Sequence, residues 1–265
     1  MDLGLKNKIA LVVASSKGLG FAAAKELLKE GSKVVICGRS QANLEVAEAR
    51  LRKELGNEII LSGCISDLNK PESAEKLVKF TADQFGGLDI LITNAGGPAK
   101  GIFATLSSEA FKEAIDLNFM SAVNLIKASL PYLKKSNSPS ILTVTSISVK
   151  EPIFGLHLSN VIRPAVIGLT KSLSQEFGKE GIRVNSVLPG WTATERVEYL
   201  LESSSKQNNT TVKEEKEKIT AAIPLGRMGY PEEFGRVATF LSSPAASYIN
   251  GVMLQVDGGA YRGIF

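Results

Sequence analysis

The stretch Lys8–Lys29, KIALVVASSKGLGFAAAKELLK, reads as a strand, a glycine turn and a helix. Ile9–Val13 is a short apolar run suited to a strand buried on both faces. Ser15, Ser16, Lys17, Gly18 and Gly20 follow as a turn of small residues. Leu19, Ala23 and Leu27 then recur at helical spacing, with Ala24 and Leu28 beside them, so one helix face can cover a sheet. Glycines in such a turn carry no Cβ, and a ligand can approach the backbone closely. The free N–H groups and positive dipole end of the helix aim at the same place, which suits a phosphate. A glycine turn before a helix also arises as plain geometry, so the assignment depends on the rest of the chain.

The rest repeats the pattern. Strands are expected at Lys33–Cys37, Glu58–Gly63, Leu88–Thr93, Ser140–Ser146, Gly181–Leu188 and Val252–Val256. Helices are expected at Gln41–Leu55, Pro71–Phe85, Ser107–Lys134, Ser159–Phe177 and Pro231–Leu241. Strands alternating with helices imply an α/β fold, a doubly wound parallel sheet of about seven strands with helices on both faces. The pattern shows no second domain and no repeat, so residues 1–265 are expected to form a single domain. One segment breaks the rhythm. Glu195–Ala222, with its polar core ESSSKQNNTTVKEEKEK, reads either as a solvated, poorly ordered insertion or as a mobile lid, spanning about residues 191–223. Such a lid would stand over the carboxyl ends of the strands, where open α/β sheets bind ligands.

Composition narrows the class. The chain is 44% hydrophobic and 22% charged, an ordinary globular balance. Its formal charge of +4 is spread along the chain without a basic block, so no nucleic-acid partner is expected. Cys37 and Cys64 lie in apparent strands at no ligand spacing, and with His157 the single histidine no metal site is expected. MDLGLKNK is too short and polar for a secretory signal, and no apolar run approaches the roughly 20 residues of a membrane span. A reducing, cytoplasmic setting without membrane attachment is the expectation.

The turn Val13–Gly20, Asn94-Ala95-Gly96, Pro189-Gly190 and the ending RMGYPEEFGRVATFLSSPAASYINGVMLQVDGG together resemble the short-chain dehydrogenase/reductase family, nearest its 3-oxoacyl-carrier-protein-reductase-like branch. The similarity runs along nearly the whole chain. It implies a Rossmann-type fold, a nicotinamide cofactor, a carbonyl or alcohol substrate, a tetramer in most members, and a catalytic Asn, Ser, Tyr and Lys. Ser146 matches the serine that polarises the substrate carbonyl, and Asn118, in Asp116-Leu117-Asn118, matches the asparagine that supports a proton relay. The tyrosine and lysine positions hold Ser159 and Arg163, and Ala165–Leu173 continues the family pattern without a gap. Ala14 replaces the first glycine of the turn.

These replacements bear on proton transfer more than on binding. A serine hydroxyl is a far poorer acid than a tyrosine, and an arginine stays charged at working pH. Arg163 could still hold the nicotinamide ribose. The plainer readings are Ser159 as a helix N-cap and Arg163 as a solvated or phosphate-facing cation. His157 could titrate near neutrality and supply the proton, or be structural. Glu151 and Tyr199 read as solvated or packed, and Trp191 as a stacking surface or as rim packing. An oxidoreductase with an altered relay, a catalytically weak cofactor-binding sensor or scaffold, and a non-redox enzyme in the same pocket all remain open.

The second strand ends Cys37-Gly38-Arg39-Ser40, without the acid that an NAD site places on the ribose. Arg39 and Lys17 instead offer cations, and Ser40 a hydroxyl, for a 2′-phosphate, so NADP(H) is expected over NAD(H). The resemblance adds Ser16, Gly18, Leu19, Gly20, Asn94, Ala95, Gly96, Pro189, Gly190, Thr192 and Thr194 to the cofactor site, with Asp67 on the adenine amino group. Assembly follows from the helix Ser159–Phe177. Ile162, Val166, Leu169, Leu173 and Phe177 form a sheet-facing stripe, while Val161, Ala165, Gly168 and Ser172 form a second one. That second stripe is expected to meet a partner subunit, with another contact near Tyr261–Phe265; the alternative is cover by loops of the same chain.

Overall fold

Residues 1–264 are described in a computed structural model. Seven parallel strands, β1 (Ile9–Val12), β2 (Lys33–Gly38), β3 (Leu61–Ile65), β4 (Ile90–Thr93), β5 (Ser140–Val144), β6 (Arg183–Pro189) and β7 (Met253–Val256), form one sheet in the order β3-β2-β1-β4-β5-β6-β7. Alternate residues of the central strands feed two cores. Ala10, Val12, Val34 and Ile36 face one side, where α1 (Gly18–Lys29), α2 (Gln41–Leu55) and α9 (Pro231–Ser242) contribute Leu27, Leu51 and Phe234. Leu11, Val13, Val35 and Cys37 face the other, against Leu77 of α3 (Pro71–Phe85) and Leu125 of α5 (Ser121–Leu133). Both faces are covered, which is why these strands read as unbroken apolar runs. The chain reverses direction across the sheet between β1 and β4, and the crevice beyond their carboxyl ends is where such sheets bind ligands.

β3 lies at Leu61–Ile65 rather than Glu58–Gly63. Its register against β2 runs from Val34↔Leu61 to Gly38↔Ile65, while Asn57 and Glu58 turn out of α2. Cys37 and Cys64 are register partners with free thiols, and burial pushes the Cys37 thiol up to about 12.

The expected helix Ser107–Lys134 is interrupted. α4 (Ser108–Ile115) passes into a π-helical turn, Asp116–Met120, before α5 begins. α6 spans His157–Glu176, so Ser159 falls inside the first turn and does not cap it. Ile162, Val166 and Phe177 are buried as expected. The second stripe is bare: Val161, Ala165, Gly168 and Ser172 are exposed, and a Cβ on Gly168 would meet nothing within 4 Å. The chain's own loops therefore do not cover it. Of the expected C-terminal contact, Phe265 lies outside the described residues.

The polar segment is helical, not poorly ordered. α7 (Glu195–Asn208) starts from Thr194, whose hydroxyl accepts from Val197 N, and α8 (Val212–Ala221) starts from a Thr211/Glu214 capping box. These caps satisfy end groups that a polar sequence cannot bury. Among the described residues, no helix is long and apolar enough to cross a membrane, and no group of three His, Cys, Asp or Glu residues is placed to hold a metal.

Candidate active site

The turn after β1 is tied to its neighbours by Ser15. Its hydroxyl donates to Val12 O at 2.6 Å and accepts from Cys37 N at 3.0 Å. Asn94, just past β4, donates from Nδ2 to Ala14 O at 3.3 Å. Ala14 itself adopts φ 49°, the left-handed backbone its side chain disfavours, at a cost of about 1–2 kcal/mol. The chain therefore keeps the family's turn without the first glycine, because the Ser15 and Asn94 contacts hold it. Gly20 has no substitute: a Cβ there would stand 2.5 Å from Ala14 O. Gly18 opens α1 at φ 59°, and the first turn of that helix faces the crevice.

The cations expected around a 2′-phosphate have different surroundings. Arg39 is exposed and pairs with no carboxylate among the described residues, whereas Lys17 forms an exposed ion pair with Glu195. The Ser40 Oγ caps α2, accepting from Asn43 N at 3.3 Å, and its hydroxyl proton stays free to donate. Asp67 is half-buried after β3 and accepts from Asn69 N at 3.3 Å.

At the other end of the crevice, Ser146 follows β5. Its Oγ accepts from Ser148 N at 3.1 Å, which leaves the hydroxyl proton free to donate. Arg163 is not solvated. From α6 its Nη1 donates to Thr145 O at 2.8 Å and Val144 O at 3.3 Å, and its Nε to Ser159 Oγ at 3.3 Å. Burial, and secondarily the charge of Arg196, pushes its pKa down to about 10, so it remains a cation at neutral pH. Asn118 lies in the π-helical turn; its Nδ2 donates to Ala114 O at 3.2 Å and its buried Oδ1 has no partner. Asn94, Asn118, Val144 and Arg163 line one cavity of about 10 Å³, room for a single water. π-turns inside α-helices recur at functional sites because they re-aim a side chain, and here the re-aimed one is Asn118.

His157 opens α6 with its ring against Phe103 and Phe111, centroids 5.5 and 6.0 Å away, a packing role. Glu151 is exposed, Trp191 is half-buried, and Tyr199 is exposed beneath the Arg196 guanidinium at 5.5 Å. After Pro189 and Gly190 at the end of β6, Thr192 is buried and bridges to Gly229, and Thr194 caps α7. α7 is then fastened to the crevice three times. Glu195 pairs with Lys17, Arg196 Nη2 donates to Pro98 O at 2.7 Å, and Lys100 Nζ donates to Ser204 Oγ at 2.9 Å.

A sequence model described as Enoyl-(Acyl carrier protein) reductase matches residues 13–261. Dehydrogenase/reductase SDR family member 4 of Bos taurus is 36% identical over 257 residues, 97% of this chain and 88% of that protein. The chain belongs to the short-chain dehydrogenase/reductase family. A 3alpha-hydroxysteroid dehydrogenase of Mediterraneibacter gnavus is 34% identical over 261 residues, 98% of this chain and 99% of its own. Among solved structures, L-sorbose reductase from Gluconobacter frateurii, complexed with NADPH and L-sorbose, superposes with a TM-score of 0.93 at 29% identity, each chain covered in full.

The relatives of this short-chain dehydrogenase/reductase are dehydrogenases and reductases, which supports an oxidoreductase. The fold brings Asn94, Asn118 and Arg163 to one cavity and sets Ser146 one residue beyond the Thr145 carbonyl that Arg163 holds. Glu195, Arg196 and Lys100 belong to no motif, and the stretch that holds the first two reads either as a solvated insertion or as a lid. The Thr211-Val212-Lys213-Glu214 spacing was the available signal that this region is helical. The sequence allows a lid over the crevice, but it identifies none of the residue pairs that fasten it.

Proposed function

We propose that this chain is an NADP(H)-dependent oxidoreductase acting on a carbonyl or alcohol substrate, with water in place of the family tyrosine as the proton source. The observation that carries the reading is the Ser146 hydroxyl, its oxygen held by Ser148 N and its proton free, at the same sheet edge as the glycine turn.

The residues fit the cofactor. The turn is closed by Gly20 where any Cβ would collide, and Arg39 stands exposed without a counter-ion at the end of β2, where a 2′-phosphate would take a charge-assisted pair. Lys17 can join it, because an exposed ion pair such as Lys17–Glu195 is worth little and exchanges readily. Ser16, Gly18 and Leu19 at the turn, Asp67, Asn94, Ala95 and Gly96, and Pro189, Gly190, Thr192 and Thr194 complete the proposed cofactor set. When bound, NADP(H) supplies the hydride.

The chain's own residues do the rest. Ser146 donates to the substrate oxygen and stabilises the charge that develops there. Arg163 holds the backbone on which Ser146 sits and adds positive charge nearby, but does not exchange protons. Ser159, its oxygen engaged by Arg163 Nε, is too weak an acid to replace tyrosine. The water-sized cavity at Asn118 Oδ1 and Arg163 offers a proton route from solvent. α7, fastened across the crevice, acts as the lid that limits bulk water. The subunit is proposed to associate through the bare α6 stripe, as a dimer or tetramer.

The test joins NADPH titration with NADPH oxidation against a panel of ketones, aldehydes and 3-oxoacyl thioesters. Saturable binding with turnover supports the reading. The anchoring of Arg163 on backbone carbonyls favours one rival, a cofactor-binding sensor that no longer reduces anything. Tight NADPH binding with no hydride transfer in either direction would establish that rival.

A further inference from the structure

Besides the exposed Arg39, two partly buried guanidinium groups at this site lack a counter-charge among the described residues. Arg50 and Arg227 each hold a glutamate, but neither Arg163 nor Arg196 forms an ion pair among the described residues. Arg163 commits Nε and Nη1 to Ser159, Val144 and Thr145, and its Nη2 has no partner. Arg196 commits Nη2 to Pro98 O and lies over the Tyr199 ring, and its Nε and Nη1 have none.

The two arrive from opposite sides. Arg163 rises from α6 to the end of β5, beside Ser146. Arg196 reaches from α7 onto the loop after β4, where a Cβ on Gly97 would stand 2.7 Å from its Nε. β4 and β5 are neighbours in the sheet, so both cations border one mouth, and Arg196 lies close enough for its charge to act on Arg163. Two half-buried like charges without an anion are unfavourable. A guanidinium edge with unused N–H groups matches the geometry of an oxyanion.

We propose that Arg196 binds an oxyanion, a carboxylate or phosphate, carried by the substrate whose carbonyl Ser146 holds, and that the charge of Arg163 strengthens this preference. The proposal deepens the oxidoreductase reading and rests on it for the carbonyl. Cofactor phosphates are the other source of the same chemistry, and the experiment separates the two.

The probes are 2-oxo-4-phenylbutanoate and its ethyl ester, with NADPH oxidation followed for both and the acid titrated calorimetrically into NADPH-loaded protein. Arg196→Gln also removes one fastening of α7, so both probes can slow, but the acid is expected to lose on the order of 10- to 100-fold more than the ester. Arg196→Lys is expected to restore part of the loss, and NADPH affinity is expected to hold. Arg196-dependent binding of the acid without reduction of either probe would keep the oxyanion site and sink the carbonyl-reductase reading for these probes. Equal loss for acid and ester would reduce Arg196 to a lid-positioning residue and overturn the proposal. A parallel loss of NADPH affinity would assign the oxyanion to the cofactor and overturn it too, as would acid binding that ignores Arg196.

Discussion

Arg163 Nη1 lies 2.8 Å from the carbonyl oxygen of Thr145, the residue before Ser146. The Arg163 guanidinium bonds the backbone end of β5 through one nitrogen and the Ser159 hydroxyl through another, which fixes the fork in place. Arg163→Met should leave the Thr145 carbonyl without its charged donor and destabilise the fold by about 1.5–3 kcal/mol. Chemical denaturation measures this, and a midpoint equal to that of the parent would show that water replaces the fork at no cost.

Ser146→Ala should lower carbonyl-directed kcat roughly 100-fold or more while leaving NADPH affinity intact, because Ser146 is the proposed donor to the developing oxyanion. Steady-state turnover beside a fluorescence titration makes the comparison. Undiminished kcat would move the chemistry away from the end of β5.

Arg39 distinguishes the cofactors. Arg39→Ala should weaken NADPH by on the order of 10- to 100-fold, the worth of one charge-assisted phosphate contact, and barely affect NADH. Equal losses for the two would remove Arg39 from the 2′-phosphate. Glu195→Gln should act in the opposite sense, since it releases Lys17 for the phosphate.

The corner between α7 and α8 is acid-sensitive. Glu215 accepts from Lys218 at 2.8 Å, Thr210 at 2.6 Å and Asn208 at 3.2 Å, with Lys218 the strongest influence, and these hold its carboxyl at about 2 against an ordinary 4.5. A lowered carboxylate pKa contributes stability above the unfolded value and loses it as pH falls toward the folded one. The stability gap between the parent and Glu215→Gln should therefore be full above pH 4.5 and close on descent to about 2. Denaturation across that range reads it, and a gap that does not narrow would contradict the account.

Gly168 tests assembly. It sits on the bare stripe with Val161 and Ala165, and the segment packed against α6 exposes Ile115 and Met120. Gly168→Glu should yield smaller species by light scattering without changing the circular dichroism of the subunit. A parent protein that is already monomeric at micromolar concentration would refute the interface.

The sequence by itself determined the alternation of strands and helices, because a strand buried on both faces must be apolar at every position and a sheet-covering helix must be apolar on one side. It also determined that Ser159 is a weak acid and Arg163 a lasting cation, since residue identity sets acidity. Only the tertiary structure decided what those residues bind. Arg163 meets Thr145 O across 18 residues of chain, and Glu195 meets Lys17 across 178. Such pairs depend on where sheet order returns the chain, and local periodicity carries no trace of it. The π-helical turn at Asn118 escaped for a related reason: a single wide turn between α4 and α5 leaves each helix's own period intact, and Asn118 reaches the cavity from it. The polar stretch over residues 195–222 reads from sequence as a solvated insertion or a mobile lid, because its few apolar residues bury little. Its order comes from caps at Thr194 and Thr211 and from partners on loops that the fold sets beneath it.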